Sequence, residues 1–450
     1  MSFSEVFRVE KDVFKFSLDG KYIAYAFQNN VYVRNVRSSK IVRTFPAVDI
    51  VQYIEWSPDS KFILCALYQS GIVQVLSLQF PKWKCKIKEC DVGIKQATWS
   101  PDSRHILTVA NFNVWVCIWS LSDLSVKYIY NLKSVINSVV EFSPDGKLLA
   151  AIEQHESSFC VATFSSTSWH LSKRYPCDKI EIIGGLSWAP DSNTICIWDR
   201  RVDICRVLIV SLLKNGVCIF ERQSMGVKTV SWSPSGQFLA LGCYDGKIRL
   251  LNHITWSQLN VFEHTARIDS SVCTVYKEIL VPSDSSIPER EKNNNDSSCY
   301  KSIFKVVAVR PVSITPRAKC PKELTYHCGV WLNNFSTCGH FLVTSCETMP
   351  ATLWIWNVQA GILHTFLSFD KPIVDVAWDP SSLRLAAVSA STNICLWTPA
   401  SGASVVQTPE SELWNIIVSG IKWHPWGHTL ALNSKNIMTL LWFTGVTEFS

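Results

Sequence analysis

Apolar residues in this chain fall into short runs separated by turn-forming residues, and one unit sets the pattern. In Ile54-Glu55-Trp56-Ser57-Pro58-Asp59-Ser60-Lys61-Phe62-Ile63-Leu64-Cys65-Ala66, a run ending on an aromatic meets a Ser-Pro-Asp-Ser turn and then a second apolar run. Such runs, bounded by turn residues, read as β-strands. Related units place their aromatic at Phe16, Trp56, Trp99, Phe142, Trp188, Trp232, Phe335, Trp378 and Trp423, with separations of 40, 43, 43, 46, 44, 103, 43 and 45. A period of about 40–45 residues is that of a four-stranded propeller blade.

The turn has a chemical basis. Pro58, Pro101, Pro144, Pro190 and Pro234 preset φ, and Asp59, Asp102, Asp145 and Asp191 can bond their own backbone two residues on. Gly20, Gly146 and Gly236 supply permissive φ where other copies have Ser. A second strand is expected after each turn, as at 22–27 and 148–152. A third follows at 31–36, 73–78, 116–121, 248–251, 353–358, 394–398 and 439–443.

The pattern predicts an all-β chain in which residues 1–450 form one closed propeller of about nine four-stranded blades. The strand-like residues 2–9 would complete the last blade, which lacks a fourth strand of its own, so that no sheet edge is left open. A seven- or eight-bladed ring with extra strands is the alternative. The 103-residue interval holds one blade and an insertion at 265–326. Its centre, 282–299, is polar and free of aromatics, and is expected to be a disordered surface loop. Residues 300–314 return to strand-like character and are expected to pack on the ring as an added strand or clip.

Several third strands end on an aromatic and a polar residue, as in Trp119-Ser120, Trp356-Asn357 and Trp397-Thr398. With the turn and the period, this resembles the WD-repeat family. The Trp-Asp ending is degenerate and the Gly-His opening is missing, so the blades are expected to hold by packing, without the family's Asp-His-Ser-Trp hydrogen-bond network. A closer resemblance runs through Tyr-Ile-Glu-Trp-Ser-Pro-Asp-Ser-Lys-Phe-Ile-Leu-Cys-Ala-Leu at 53–67, Gly-Val-Lys-Thr-Val-Ser-Trp-Ser-Pro-Ser-Gly-Gln-Phe-Leu-Ala-Leu-Gly-Cys-Tyr-Asp-Gly-Lys-Ile-Arg-Leu-Leu-Asn-His-Ile-Thr-Trp at 226–256, and Thr-Val-Tyr-Lys-Glu at 274–278. With the opening Ser-Phe-Ser-Glu-Val-Phe, these stretches resemble the WD repeat-containing protein eight family of centrosomal and spindle-pole proteins.

That resemblance implies a non-enzymatic scaffold of the centrosome and spindle pole. It implies partnership with a coiled-coil centrosomal anchoring protein and a kinesin-14 motor, in microtubule anchoring, spindle organisation and cilium formation. The family has no catalytic residues to carry over. An RNA- or translation-associated propeller is the alternative, since large rings also occur in translation initiation factors.

Composition narrows the picture. The chain is 47 % hydrophobic and 18 % charged, enough for a large core. Its net charge of +6 comes from 43 Lys and Arg against 37 Asp and Glu, without the basic tail that grips nucleic acid. Residues 1–10 alternate instead of forming an apolar signal core, and the run at 207–213 is far shorter than the roughly 18 residues needed to span a bilayer. These features predict a soluble protein of the cytoplasm. The 17 cysteines are spread through apolar runs and read as small buried hydrophobes in a reducing compartment, not as a disulfide framework.

Candidate chemistry is sparse. Cys320, His327, Cys328, Cys338, His340 and Cys346 form the densest group of ligand-type residues, but no Cys-x-x-Cys pair occurs and no metal or cofactor is expected. No nucleophile elbow, His-Glu-x-x-His or phosphate-binding Gly-rich loop is present, so no enzyme activity is expected. Lys82, Lys84, Lys86 and Lys88 alternate with Trp83, Cys85 and Ile87, which puts four ammonium groups on one face of a strand. The preferred reading is a charged outer strand that discourages edge pairing. The functional reading is a basic strip for an acidic partner such as tubulin tails. The anchor aromatics should pack between blades, whereas Trp169, Trp256, Trp414 and Trp426 lie near loops and are candidates for exposed peptide anchors.

Overall fold

The computed structural model of the chain describes residues 1–10, 12–88, 93–111, 115–130, 132, 140–155, 158–282, 300–316, 328–409 and 416–443. Among the described residues nine blade sheets follow in chain order, eight with four antiparallel strands at 14–46, 53–88, 94–130, 140–176, 183–222, 227–263, 330–368 and 373–407, and a ninth with three at 420–442 that the N-terminus completes. They are called blades one to nine below. First strands of neighbouring blades touch, as Phe14–Phe16 does Tyr53–Trp56, so the first strand is innermost. Middle strands such as Ile72–Ser77 and Thr194–Asp199 are buried at every position, because each lies inside a sheet sandwiched between two others. Outer strands are mostly exposed; Ile41–Pro46 buries only Phe45.

The apolar core is a series of layers between blades. One layer joins Val73, Val75 and Ile87 of blade two to Ile94, Trp99 and Ile106 of blade three. The anchor tryptophans do more than pack. The indole N–H of Trp56 donates to Lys15 O at 3.0 Å, Trp188 to Glu141 O at 3.0 Å, Trp378 to Asn334 O at 3.2 Å and Trp423 to Ala377 O at 3.0 Å. Each bond reaches the first strand of the preceding blade.

The repeated turn also links blades. Within it, Ser57 Oγ donates to Asp59 Oδ1 at 2.6 Å and accepts from Phe62 N at 2.9 Å. Its last residue takes a left-handed φ, +59° at Ser60 and +72° at Gly146. Serine is strained there, and its hydroxyl offsets the strain by reaching the preceding blade: Asp19 N donates to Ser60 Oγ at 3.1 Å, Asp59 N to Ser103 Oγ at 3.0 Å and Asp145 N to Ser192 Oγ at 3.0 Å. At Gly146 a Cβ would lie 2.8 Å from Pro101 Cβ, so glycine stands where the turns abut. Between the last and first blades, His424 Nε2 donates to Gly20 O at 2.7 Å.

The N-terminus closes the ring. Ser2–Phe3 and Phe7–Arg8 pair antiparallel with Ile437–Trp442, in the register Ser2↔Trp442 and Phe7↔Met438. Ser4 Oγ accepts from Leu440 N at 2.9 Å, and Phe7 and Val9 are buried. Nine blades therefore form one ring, as the spacing predicts, and the seven- or eight-bladed alternative is set aside.

The insertion enlarges blade seven. Thr274–Pro282 pairs in parallel with the outer strand Ile362–Ser368, and Tyr300–Val306 pairs antiparallel with Thr274–Pro282, giving a six-stranded sheet. The strand expected within 300–314 is thus present at Tyr300–Val306. Of the loop expected at 282–299, Pro282 ends a strand and 283–299 lie outside the described residues. Glu278 pins the hairpin to the ring: its carboxylate accepts from Ser302 Oγ at 2.6 Å, Asp370 N at 3.0 Å and Asn393 Nδ2 at 3.4 Å.

One expectation needs correction. In blade seven a family-type hydrogen-bond network is present in part. Trp356 Nε1 donates to Thr344 Oγ1 at 2.8 Å, and Thr344 Oγ1 lies 2.9 Å from His264 Nε2. His264 Nδ1 lies 2.6 Å from Gly246 O, which can only accept, so Nδ1 carries the proton and Nε2 accepts from the threonine. The histidine comes from the end of blade six, before the insertion, so its link to blade seven is hidden in the repeat alignment.

Candidate interaction surface

Strand Lys84–Lys88 is the outer strand of blade two and, among the described residues, pairs only with Ile72–Ser77. Lys84, Lys86 and Lys88 are exposed on it, whereas Lys82 sits in the turn that precedes it. The ladder expected from sequence therefore has three rungs on the strand. Alternation assigns its two faces. Ile87 is buried against blade three, so Cys85 and Ile87 face that blade. Gln74, the cross-strand partner of Lys86, donates from Nε2 to Pro46 O of blade one at 3.2 Å, so the lysines face blade one. Among the described residues none of the three ammonium groups enters an ion pair.

The basic character extends around one sector of the rim. The outer strands of blades one to four carry Arg43, the three lysines, Lys127, Lys173 and Arg174, with no carboxylate. The four-strand cores of blades five to eight have outer strands bearing Arg222 against Glu221 and Glu263. Arg174 is committed to Glu153 at 2.6 Å; the other cations of the sector are exposed. The added strands of blade seven carry Lys277, Lys301 and Lys305 with Glu278, so positive charge on the rim gathers on blades one to four and again at blade seven.

On the blade-three side of the same strand the surface is apolar. Phe62, Phe80, Trp83 and Leu121, with Ser77, Ser103, Arg104 and Ser122, line a cleft of about 320 Å³ between blades two and three. Phe80 is 68 % exposed and Trp83 39 %, with the Trp83 ring 5.2 Å from that of Phe62. Tyr128 and Tyr130 stack at 5.9 Å on the exposed outer strand of blade three. Sequence reading missed Phe80; its signal was an aromatic directly before Pro81, past the end of a third strand.

The loop tryptophans divide. Trp169 is buried, its ring edge-on to His105 at 5.3 Å, which corrects the expectation of exposure. Trp256 is half-buried against Trp232, Trp426 is 53 % exposed, and Trp414 lies outside the described residues. No disulfide joins the described cysteines, and burial pushes the thiols of Cys65, Cys196 and Cys395 far above their ordinary range, with Glu141 adding to it at Cys196 and Glu278 at Cys395. Among the described residues no three His, Cys, Asp or Glu side chains are grouped to hold a metal. Cys320 and His327 lie outside them. Among the described residues no helix is long and apolar enough to cross a membrane.

A closed ring of four-stranded blades, joined by anchor tryptophans and turn-to-turn bonds, defines a WD-repeat β-propeller. The WD40 domain of anaphase-promoting complex subunit 4 matches residues 197–275. The C-terminal WD40 domain of Sif2 superposes with a TM-score of 0.51 at 11 % identity, covering 98 % of this chain and 99 % of that one. An uncharacterised WD repeat-containing protein of Schizosaccharomyces pombe is 21 % identical over 82 % of this chain and 74 % of its own length. The mouse (Mus musculus) WD repeat-containing protein WRAP73 is 36 % identical over 97 % of this chain and 94 % of its own. The chain belongs to the family of that WD repeat-containing protein. Propellers of this class are protein-interaction scaffolds, in which rigid blades present loops and edges to partners.

Proposed function

We propose that this protein is a non-enzymatic scaffold of the centrosome and spindle pole, working with a coiled-coil anchoring protein and a kinesin-14 motor in microtubule anchoring, spindle organisation and ciliogenesis. The observation that carries the reading is the extent of the kinship. Similarity to the mouse relative runs over 97 % of the chain, so it takes in the whole ring and the insertion, not one borrowed blade. A rigid ring with exposed outer edges suits a scaffold.

Proximity labelling in dividing cells tests the reading. A ligase fused to the full chain should label pericentriolar and spindle-pole proteins, and the anchoring protein should co-purify. A label dominated by ribosomal and initiation-factor neighbours would instead establish the RNA- or translation-associated alternative.

A further inference from the structure

We propose that the free edge of Lys84–Lys88 is a strand-addition site for an extended peptide in which acidic and apolar residues alternate. The inference does not depend on where in the cell the protein works. The unpaired edge offers main-chain N–H and C=O groups to an incoming strand. The fold itself shows that an outer strand of this ring accepts another: Thr274–Pro282 adds to the outer strand of blade seven.

The two faces of the edge then dictate the peptide. Residues directly opposite each other in a sheet share a face, so peptide side chains beside Lys84, Lys86 and Lys88 lie on the blade-one side. They meet exposed ammonium groups repeating at about 7 Å, two residues of a strand, and carboxylates at alternate positions match that spacing. The intervening side chains point toward blade three. There Cys85 and Ile87 lie on the strand and Trp83 and Phe80 border the cleft at its start, so these positions take leucine or an aromatic, one of which fills the cleft. A uniformly acidic tail would satisfy one face and place carboxylates over apolar surface on the other. Nucleic acid has no peptide N–H and C=O groups with which to complete the ladder along this edge. Lysines on an edge discourage pairing with similar strands, and here they admit an acidic one.

Fluorescence anisotropy on the full chain, with a labelled Glu-Leu-Glu-Phe-Glu-Leu-Glu peptide, tests this. Saturable binding that weakens with salt is expected, with slowed amide exchange in 84–88 on addition of peptide. A peptide of the same composition with its glutamates in one block should bind about tenfold more weakly or worse, as should the Lys84→Gln/Lys86→Gln/Lys88→Gln variant. Trp83→Ala should weaken the alternating peptide and leave any binding of heptaglutamate unchanged. Thermal melts of both variants check that the ring is intact. Absence of saturable binding, equal binding of the block peptide, heptaglutamate or an oligouridylate, or unchanged affinity in a folded triple variant would each overturn the proposal.

Discussion

His264 Nε2 lies 2.9 Å from Thr344 Oγ1, across 80 residues of chain and the boundary between blades six and seven. The imidazole packs edge-on against the stacked rings of Trp354 and Trp356, at 5.2 and 6.1 Å, and its other nitrogen is bonded to Gly246 O. Burial pushes its pKa down to about 4, against a weaker upward pull from the Gly246 carbonyl. The neutral ring is therefore part of the folded state.

This gives a pH dependence with a definite sign. The unfolded chain binds a proton at His264 near pH 6.5, whereas the folded one resists until about pH 4. The stability contributed is intact above pH 6.5 and is lost as pH falls through that window, to about 3 kcal/mol at its lower end. Glu141 has the opposite sign. Burial raises its carboxyl to about 7, so its contribution is present below the ordinary carboxylate range and is lost as pH rises through 7. Urea denaturation of the wild type and His264→Gln across pH 4 to 7.5 isolates the histidine, because Glu141 and the other groups cancel in the difference. The gap between the two proteins should shrink toward acid pH; a constant gap would contradict the neutral-histidine network.

The ring was legible because its signals are local. The aromatic of the Trp56 unit, its turn and its second strand lie within one short window, and the physics that shapes one copy shapes the next. The His264 link was not legible, because a repeat alignment assigns a residue to the blade beside it in sequence, and the insertion separates this one from the blade it serves. The parallel pairing of Thr274–Pro282 with a strand that follows it by about 90 residues was hidden for the same reason. On the rim, alternation placed Lys84, Lys86 and Lys88 on one face, but which blade that face meets required Gln74 and Ile87 in three dimensions.

Equivalent tryptophans are not energetically equivalent. Trp56 donates to Lys15 O, while the indole nitrogen of Trp232 is buried without a partner. Both replacements by phenylalanine lose similar apolar area, but only Trp56→Phe breaks a hydrogen bond. Trp56→Phe should therefore destabilise the ring by about 1 kcal/mol more than Trp232→Phe in urea denaturation. Equal losses would show that the inter-blade bond contributes little.

Glu278 should hold the hairpin without holding the ring. Glu278→Ala removes the acceptor shared by Ser302, Asp370 and Asn393, a local loss of about 2–3 kcal/mol. Hydrogen exchange should accelerate in Thr274–Pro282 and Tyr300–Val306 while Thr352–Asn357, a middle strand of blade seven, keeps its protection. Acceleration throughout blade seven would mean that the hairpin is integral to the ring.

The closing segment makes the strongest demand on the architecture. Phe7 and Val9 are buried beside Tyr25, Met438 and Leu440, and Ser2–Phe3 covers one edge of Ile437–Trp442. Deleting residues 1–9 exposes that apolar surface and leaves Leu440 N without Ser4, at a cost of several kcal/mol. It also uncovers a strand edge, so two truncated molecules can pair through it. Light scattering after size exclusion should show dimers or larger species for the truncated chain, with faster amide exchange confined to blade nine and its contacts with blade one. Mixing in a synthetic peptide of residues 1–9 should return the truncated chain to the mass of the intact one, because the peptide competes for the same edge. A truncated chain with unchanged stability and mass would mean that the first nine residues do not close the ring.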